Sequence, residues 1–183
     1  MKGLYLVIGE SGSGKDTLVD TYCKETGSTK LLSLTDREKR SPDENTHTFV
    51  TKEEFDSIHP DELVAYTKFN GHQYGATAEQ VNNSDFYIID VKGLKDIEEA
   101  VELGKIKRPV YVVHIVATPW LRFTSMYKRD GLRKAISRIK HDKGAFEGLE
   151  KHTKFQRKDL YSAKDFDTNY ATFKELISEL ERK

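Results

Sequence analysis

The chain has 183 residues, with 30 Lys plus Arg balanced by 30 Asp plus Glu, so it carries no basic field of the kind that gathers a nucleic acid. A single cysteine, Cys23, rules out an internal disulfide framework and a thiolate zinc cluster, and the apolar start is too short for a membrane span or a signal-peptide core. The expectation at this length is one α/β domain of a cytoplasmic protein, with no nucleic acid and no membrane among its partners and with its oligomeric state open.

The first element is the apolar run Leu4 to Ile8, a buried strand, and it leads directly into Gly9 to Thr17, which reads GESGSGKDT. This fits the phosphate-binding pattern G-x-x-x-x-G-K followed by a hydroxyl residue, except that Asp16 stands where Ser or Thr is usual and Thr17 comes one position later. Gly9, Gly12 and Gly14 let the backbone turn its N–H groups inward around Ser11 and Ser13. The helix starting near Lys15 adds the positive end of its dipole, and Lys15 itself supplies a mobile charge for the outer phosphates. A nucleotide phosphate is expected there. A carboxylate at position 16 could hold Mg2+ directly or through water, but without the metal it would repel phosphate, so nucleotide binding is expected to require magnesium. Leu18, Val19, Tyr22 and Cys23 give the following helix an apolar face, with Cys23 expected as a buried small hydrophobe.

Between Ser33 and about Ser84 the pattern becomes mixed. Leu63 to Phe69, the turn Asn70-Gly71 and His72 to Tyr74 read as an antiparallel hairpin. Strand and helix then alternate again. The run Phe86 to Ile89 ends at Asp90 and precedes a helix from Leu94 to Leu103 closed by Gly104; Val110 to Val116 precedes a helix opened by Thr118-Pro119 and reaching about Lys128. Arg133 to Lys140 reads as a further helix within the charged stretch Gly131 to Arg157, which is expected to be largely a mobile solvated cover. Thr172 to Leu180 closes the chain as an amphipathic helix. The fold expected is a parallel-sheet core flanked by helices, built from residues 1–32 and 85–183 with a lid at about 126–146, into which a small mixed lobe, 33–84, is inserted.

The lobe carries Ser33-Leu-Thr-Asp-Arg37-Glu-Lys-Arg40, then His47-Thr-Phe49-Val-Thr-Lys-Glu-Glu-Phe55, then Gly71-His-Gln-Tyr74-Gly75. In order and approximate spacing over nearly the whole chain, these segments and the phosphate loop resemble the guanylate kinase family of P-loop nucleoside monophosphate kinases. The resemblance implies a phosphotransferase using ATP and Mg2+, with a small-molecule phosphate acceptor held in the lobe by Ser33, Arg37, Arg40, His47 and Tyr74. Arginine suits this grip because its planar fork binds phosphate oxygens in pairs and stays charged. Asp90 matches the family's strand-terminal acid, which can hold the metal through water or contact the acceptor. Arg129 and Arg138 match the lid arginines that, with Lys15, balance charge on the transferring group, and Arg122 and Arg133 are their rivals.

Departures from the family pattern cluster around the acceptor. Ala65 stands at the position of the base-reading Glu, and Ala76 at that of the base-reading hydroxyl. His47 replaces a phosphate-binding Tyr, and the family's D-I-D-x-Q-G is reduced to Asp90-Val91-Lys92-Gly93. A site built to hydrogen-bond a base edge draws its discrimination from such groups, so guanine is not expected to be selected in the usual way. Another nucleoside or deoxynucleoside monophosphate, for example a pyrimidine, is the first acceptor expected. A sugar phosphate, as in the related ribose bisphosphate phosphokinases, and GMP itself remain, as does a non-catalytic guanylate-kinase-like interaction module.

Overall fold

The computed structural model describes residues 3–69, 71–142 and 153–182. Strand β1 (Leu4–Ile8) is wholly buried because it lies at the centre of a parallel five-stranded sheet, where both faces are covered and every residue can be apolar. Helix α1 (Lys15–Thr26) follows the glycine loop. Strands β2 (Lys30–Leu31) and β3 (Leu34–Thr35) then carry the chain from the core sheet into the lobe.

The lobe is a four-stranded sheet of order β4-β3-β6-β5, formed with β4 (Thr48–Phe49), β5 (Leu63–Phe69) and β6 (His72–Thr77). Gly71, at φ +82°, sits in the expected hairpin turn; Asn70 lies outside the described residues. The short helices α2 (Lys52–Asp56) and α3 (Ala78–Asn82) each start with a capping box, Thr51 with Glu54 and Thr77 with Gln80.

Strand β7 (Phe86–Ile88) returns to the core, followed by α4 (Val91–Glu102), β8 (Val110–Val116), α5 (Pro119–Asp130), α6 (Leu132–Asp142), β9 (Gln156–Tyr161) and α7 (Phe166–Glu181). The core sheet has the order β2-β7-β1-β8-β9, all parallel. Jumping across β1 between β7 and β8 creates a switch point at the carboxyl ends of β1 and β7, where an open α/β sheet places its ligands.

Several boundaries differ from the sequence reading. Helix α4 begins at Val91 rather than Leu94 because Asp90 caps it, its side chain accepting from the Gly93 amide at 2.7 Å. Helix α7 begins at Phe166 rather than Thr172, with Asp165 accepting from the Thr168 amide. Cys23 is half-buried at the rim of a core cluster rather than fully inside. The stretch expected as a solvated cover contains α6, and its end, Gln156-Arg157, starts β9; residues 143–152 lie outside the described residues. The charged β9 escaped a reading based on apolar runs because it is an edge strand: only Leu160 is buried, while Arg157 and Lys158 pair with Asp159 and Glu179.

Candidate active site

The phosphate loop is shaped by glycine at two points. Gly14 is the N-cap of α1 with φ +90° and makes no side-chain cap bond, so the amides of the first turn remain available to an anion. Gly12 has φ +78°, and a Cβ there would lie 2.7 Å from the Arg122 carbonyl oxygen and 2.9 Å from Met126 Cγ. The loop therefore presses directly on α5. The Ser13 hydroxyl is buried and has no hydrogen-bond partner among the described residues.

Arg122, on α5, is the buried cation beneath the loop. Its Nη1 lies 2.6 Å from Glu10, its Nη2 2.9 Å from Asp142, and its Nε donates to the Ser11 carbonyl at 3.0 Å. Asp142, the last described residue of α6, also accepts from the Ser11 amide at 2.6 Å and from the Ser11 hydroxyl at 3.2 Å. Helix α6 and the loop are thus joined through one carboxylate. Burial lowers the Lys15 pKa, opposed by Asp16 and Asp142 and reinforced by Arg129 and Arg138. Both candidate lid arginines therefore lie within electrostatic reach of the lysine. Arg129 binds Asp130 at 2.8 Å, and Arg138 approaches the same carboxylate at 3.7 Å. Asp16 is exposed in the first turn of α1, 4.0 Å from the Lys15 ammonium.

In the lobe, Arg37 is clamped by Glu44, with 2.7 Å and 3.2 Å bonds from its two terminal nitrogens, and its guanidinium lies over the Phe49 ring at 5.2 Å. This pairing, with the Arg40 amide next in weight, pulls the Glu44 pKa down to about 2. His47 packs edge-on against Tyr74 at 5.4 Å, and burial followed by the Arg37 charge lowers its pKa. Arg37 Nε and His47 Nδ1 are buried donor-capable nitrogens without a partner among the described residues. Arg40 points outward, with 67% of its side chain exposed.

A cleft of ≈ 420 Å³ lies between the loop and the lobe, with Arg37, Arg40, His47, Arg129 and Arg138 outside its lining. Gly9, Ser11, Lys15 and Asp142 line its loop side, Ser33, Ala65 and Tyr74 its lobe side, and Asp90 and Tyr87 the end of β7. A smaller pocket of ≈ 190 Å³ lies on the other side of the loop, between Gly12, Thr17, Ser125 and the segment Ser162–Lys164. That segment is pinned by Asn169, which accepts from the Ala163 amide at 2.7 Å and donates to its carbonyl at 3.0 Å. Ala76 is fully buried beside the cleft, in register with Ala65. Tyr87, Asp142 and the Ser162–Lys164 segment carried no sequence signal. Arg122 was recognisable only as one basic residue among many.

The residues fit the groups the sequence implies. Unpartnered buried donors at Ser13, Arg37 and His47, with an uncapped helix start, suit phosphate oxygens. Among the described residues no cluster of three or more His, Cys, Asp or Glu could hold a metal. The exposed carboxylates of Asp16 and Asp90 are hard oxygen donors of the kind that hold Mg2+ together with water and phosphate.

The guanylate kinase family profile matches residues 1–180. This chain belongs to the guanylate kinase family. Curated guanylate kinases resemble it modestly: that of Polaromonas sp. is 25% identical over 132 residues, covering 70% of this chain and 64% of the relative. That of Clostridium acetobutylicum is 33% identical over 108 residues, covering 54% and 52%. The matched stretches thus span between about half and two thirds of these relatives' own length. The crystal structure of guanylate kinase from Anaplasma phagocytophilum superposes with a TM-score of 0.62 at 18% identity, covering 99% of this chain and 87% of that one. The fold is that of the P-loop nucleoside monophosphate kinases. Among the described residues no helix is long and apolar enough to cross a membrane.

Proposed function

We propose that the protein is a cytoplasmic phosphotransferase that moves the γ-phosphoryl of ATP, with Mg2+, to the phosphate of a nucleoside or deoxynucleoside monophosphate, with base selection altered from that of guanylate kinases. The observation that carries this reading is the cleft with Lys15 at its loop side and Ser33 and Tyr74 at its lobe side, with His47, whose buried Nδ1 has no partner among the described residues, packed on Tyr74. Two phosphate-binding sets facing one cavity suit a reaction whose catalysis is mainly positioning and charge neutralisation, with no covalent enzyme intermediate.

In this reading the glycine loop and Lys15 hold the donor phosphates, and the pocket bounded by Ser162–Lys164 receives the rest of the donor nucleotide. Residues 33–84 form the acceptor lobe. Arg37, held ready by Glu44, exchanges part of that pairing for the acceptor phosphate, with Arg40, His47 and Tyr74 around it. Arg129 and Arg138, with α6 as the described part of the lid, balance charge that spreads over the transferring group and help exclude water. Asp16 and Asp90 would hold the magnesium, which when bound neutralises the donor phosphates.

The test is ADP release measured with each common ribo- and deoxynucleoside monophosphate and with ribose bisphosphate. Turnover with at least one monophosphate is expected, and Lys15→Ala should lower kcat on the order of 10²–10³-fold. Turnover with ribose bisphosphate alone would transfer the reading to a sugar-phosphate kinase. No turnover with any acceptor, together with ATP binding indifferent to Lys15→Ala, would identify an interaction module. ATP binding followed by calorimetry is expected to weaken strongly when magnesium is chelated, and equal affinity in both conditions would remove the metal role given to Asp16.

A further inference from the structure

The cleft contains a polar group that the phosphate-binding residues do not explain, and its setting follows from the geometry of the hairpin. A Cβ on Gly75 would lie 3.1 Å from both Phe55 Cζ and Leu63 Cδ2, so this position faces the outer side of the lobe. Its register partner Tyr66 faces the same way, with its ring 6.2 Å from that of Phe55. By the two-residue period of a strand, Ala65, Thr67 and Tyr74 turn toward the cleft they line, and Ala76, on the same face, is fully buried behind Ala65. Ala65 and Ala76 pair directly, with exposures of 4% and 0%, so two adjacent methyl groups replace hydrogen-bonding groups there. Lys92 does not compensate: its ammonium binds the Tyr66 carbonyl and approaches Asp96 at 3.4 Å, beside the cavity on the outer side of the hairpin.

Tyr87 does lie on the cleft. Its ring rises from β7 into the same core cluster as Ala65 and Ala76, and its oxygen accepts from the Ser33 hydroxyl at 3.2 Å. With Ser33 donating here rather than to the acceptor phosphate, the phenol proton is free to be given to a ligand. Burial pushes the Tyr87 pKa up to about 12, so the group remains a neutral donor under ordinary conditions.

A donor beside a methyl-lined wall has a definite complement among the bases. Thymine presents its O4 acceptor next to the C5-methyl group, whereas the corresponding edges of cytosine and adenine carry an amino donor. Guanine adds the N2 amino donor, which two alanines leave without an acceptor. We infer that Tyr87, oriented by Ser33, is the specificity-determining residue of the acceptor cleft and that Tyr87 and the Ala65–Ala76 wall select a 5-methylpyrimidine nucleoside monophosphate of the thymidylate type. This rests on the phosphotransferase reading for the identity of the cleft.

The experiment is calorimetric binding of dTMP, dUMP and GMP to the wild-type protein and to Tyr87→Phe, with ADP release measured in parallel. In the wild type dTMP should bind about 10-fold more tightly than dUMP, which lacks only the methyl group, and more tightly than GMP. Tyr87→Phe should weaken dTMP about 10-fold while leaving ATP affinity and melting temperature unchanged, a pattern that a purely structural hydroxyl would not produce. Ala65→Glu, which restores a carboxylate acceptor, should shift the preference toward GMP. The inference is overturned if GMP ranks first in the wild type, if none of the three binds, or if Tyr87→Phe leaves the dTMP to GMP ratio unchanged. Binding in the expected order without ADP release would instead overturn the phosphotransferase reading and leave the recognition by Tyr87 standing.

Discussion

Arg122 shows how one buried side chain can govern a loop to which it contributes no backbone. Three groups, Glu10, the Ser11 carbonyl and Asp142, converge on its guanidinium, whose side chain is 5% exposed. Arg122→Met would remove the cation that lies between Glu10 and Asp142. Removing one partner of a buried ion pair typically costs about 3–5 kcal/mol, because the remaining charge stays desolvated. A clear fall in the denaturation midpoint is therefore expected, with weaker ATP binding because negative potential at the loop rises. An unchanged midpoint would show that the carboxylates relax into water. In the sequence Arg122 was one of several basic residues near the lid, and nothing local distinguishes it from exposed Arg129 or Arg133.

Elements show the same division between patterned and unpatterned segments. Apolar runs and cap residues marked β1, β7, β8 and the start of α5, since each rests on adjacent residues. Strands β2 and β9 were not visible, the first for being two residues long and the second for being charged; both exist because a neighbouring strand offers a ladder. Helix α7 is anchored by Phe173, which is fully buried and packs against Tyr22 at 5.7 Å and Phe86 at 6.1 Å. Phe173→Ala should destabilise the fold by about 3–5 kcal/mol in a urea titration, provided the cavity does not collapse.

The loop from Arg37 to His47 makes a prediction about pH. The folded pKa of Glu44, about 2, lies below its ordinary 4.5, so its contribution to stability is present above pH 4.5 and is lost as the pH falls from there toward 2. His47 is also depressed, below its ordinary 6.5, so the unfolded chain takes up this proton first and stability declines as the pH drops below 6.5. Melting temperature should thus decrease in two stages on acidification, and Glu44→Gln should remove the lower one. A Glu44→Gln profile parallel to the wild type would show that the Arg37 clamp does not contribute.

For the whole molecule, the lobe is attached to the core through α4 and the turn that follows it. Asp96 accepts from the Tyr66 amide at 3.1 Å, Lys92 binds the Tyr66 carbonyl, and Lys105 donates to the Asp61 carbonyl at 2.7 Å. These contacts lie on the outer side of the hairpin, opposite the cleft between lobe and loop, where they can act as a pivot. Closing the lobe and α6 onto the loop would bring the two phosphate-binding sets together and exclude water. Small-angle scattering should therefore show a smaller radius of gyration with both an ATP analogue and the acceptor than with either alone, and an identical radius in all states would argue for a preformed site.

The amino-acid sequence by itself determined the glycine loop, the parallel-sheet core and the order of the lobe's family-like segments, because these depend on short runs whose chemistry is complete in neighbouring positions. The departures from the family pattern at Ala65 and Ala76 were legible for the same reason. Tertiary structure alone decided what surrounds them. Ser11 meets Arg122 across 111 residues and Asp142 across 131, and Ser33 meets Tyr87 across 54. Such partners have no spacing rule in the chain: only the strand order and the packing of α5 and α6 against the loop set the distance at which charge and hydrogen bonding act.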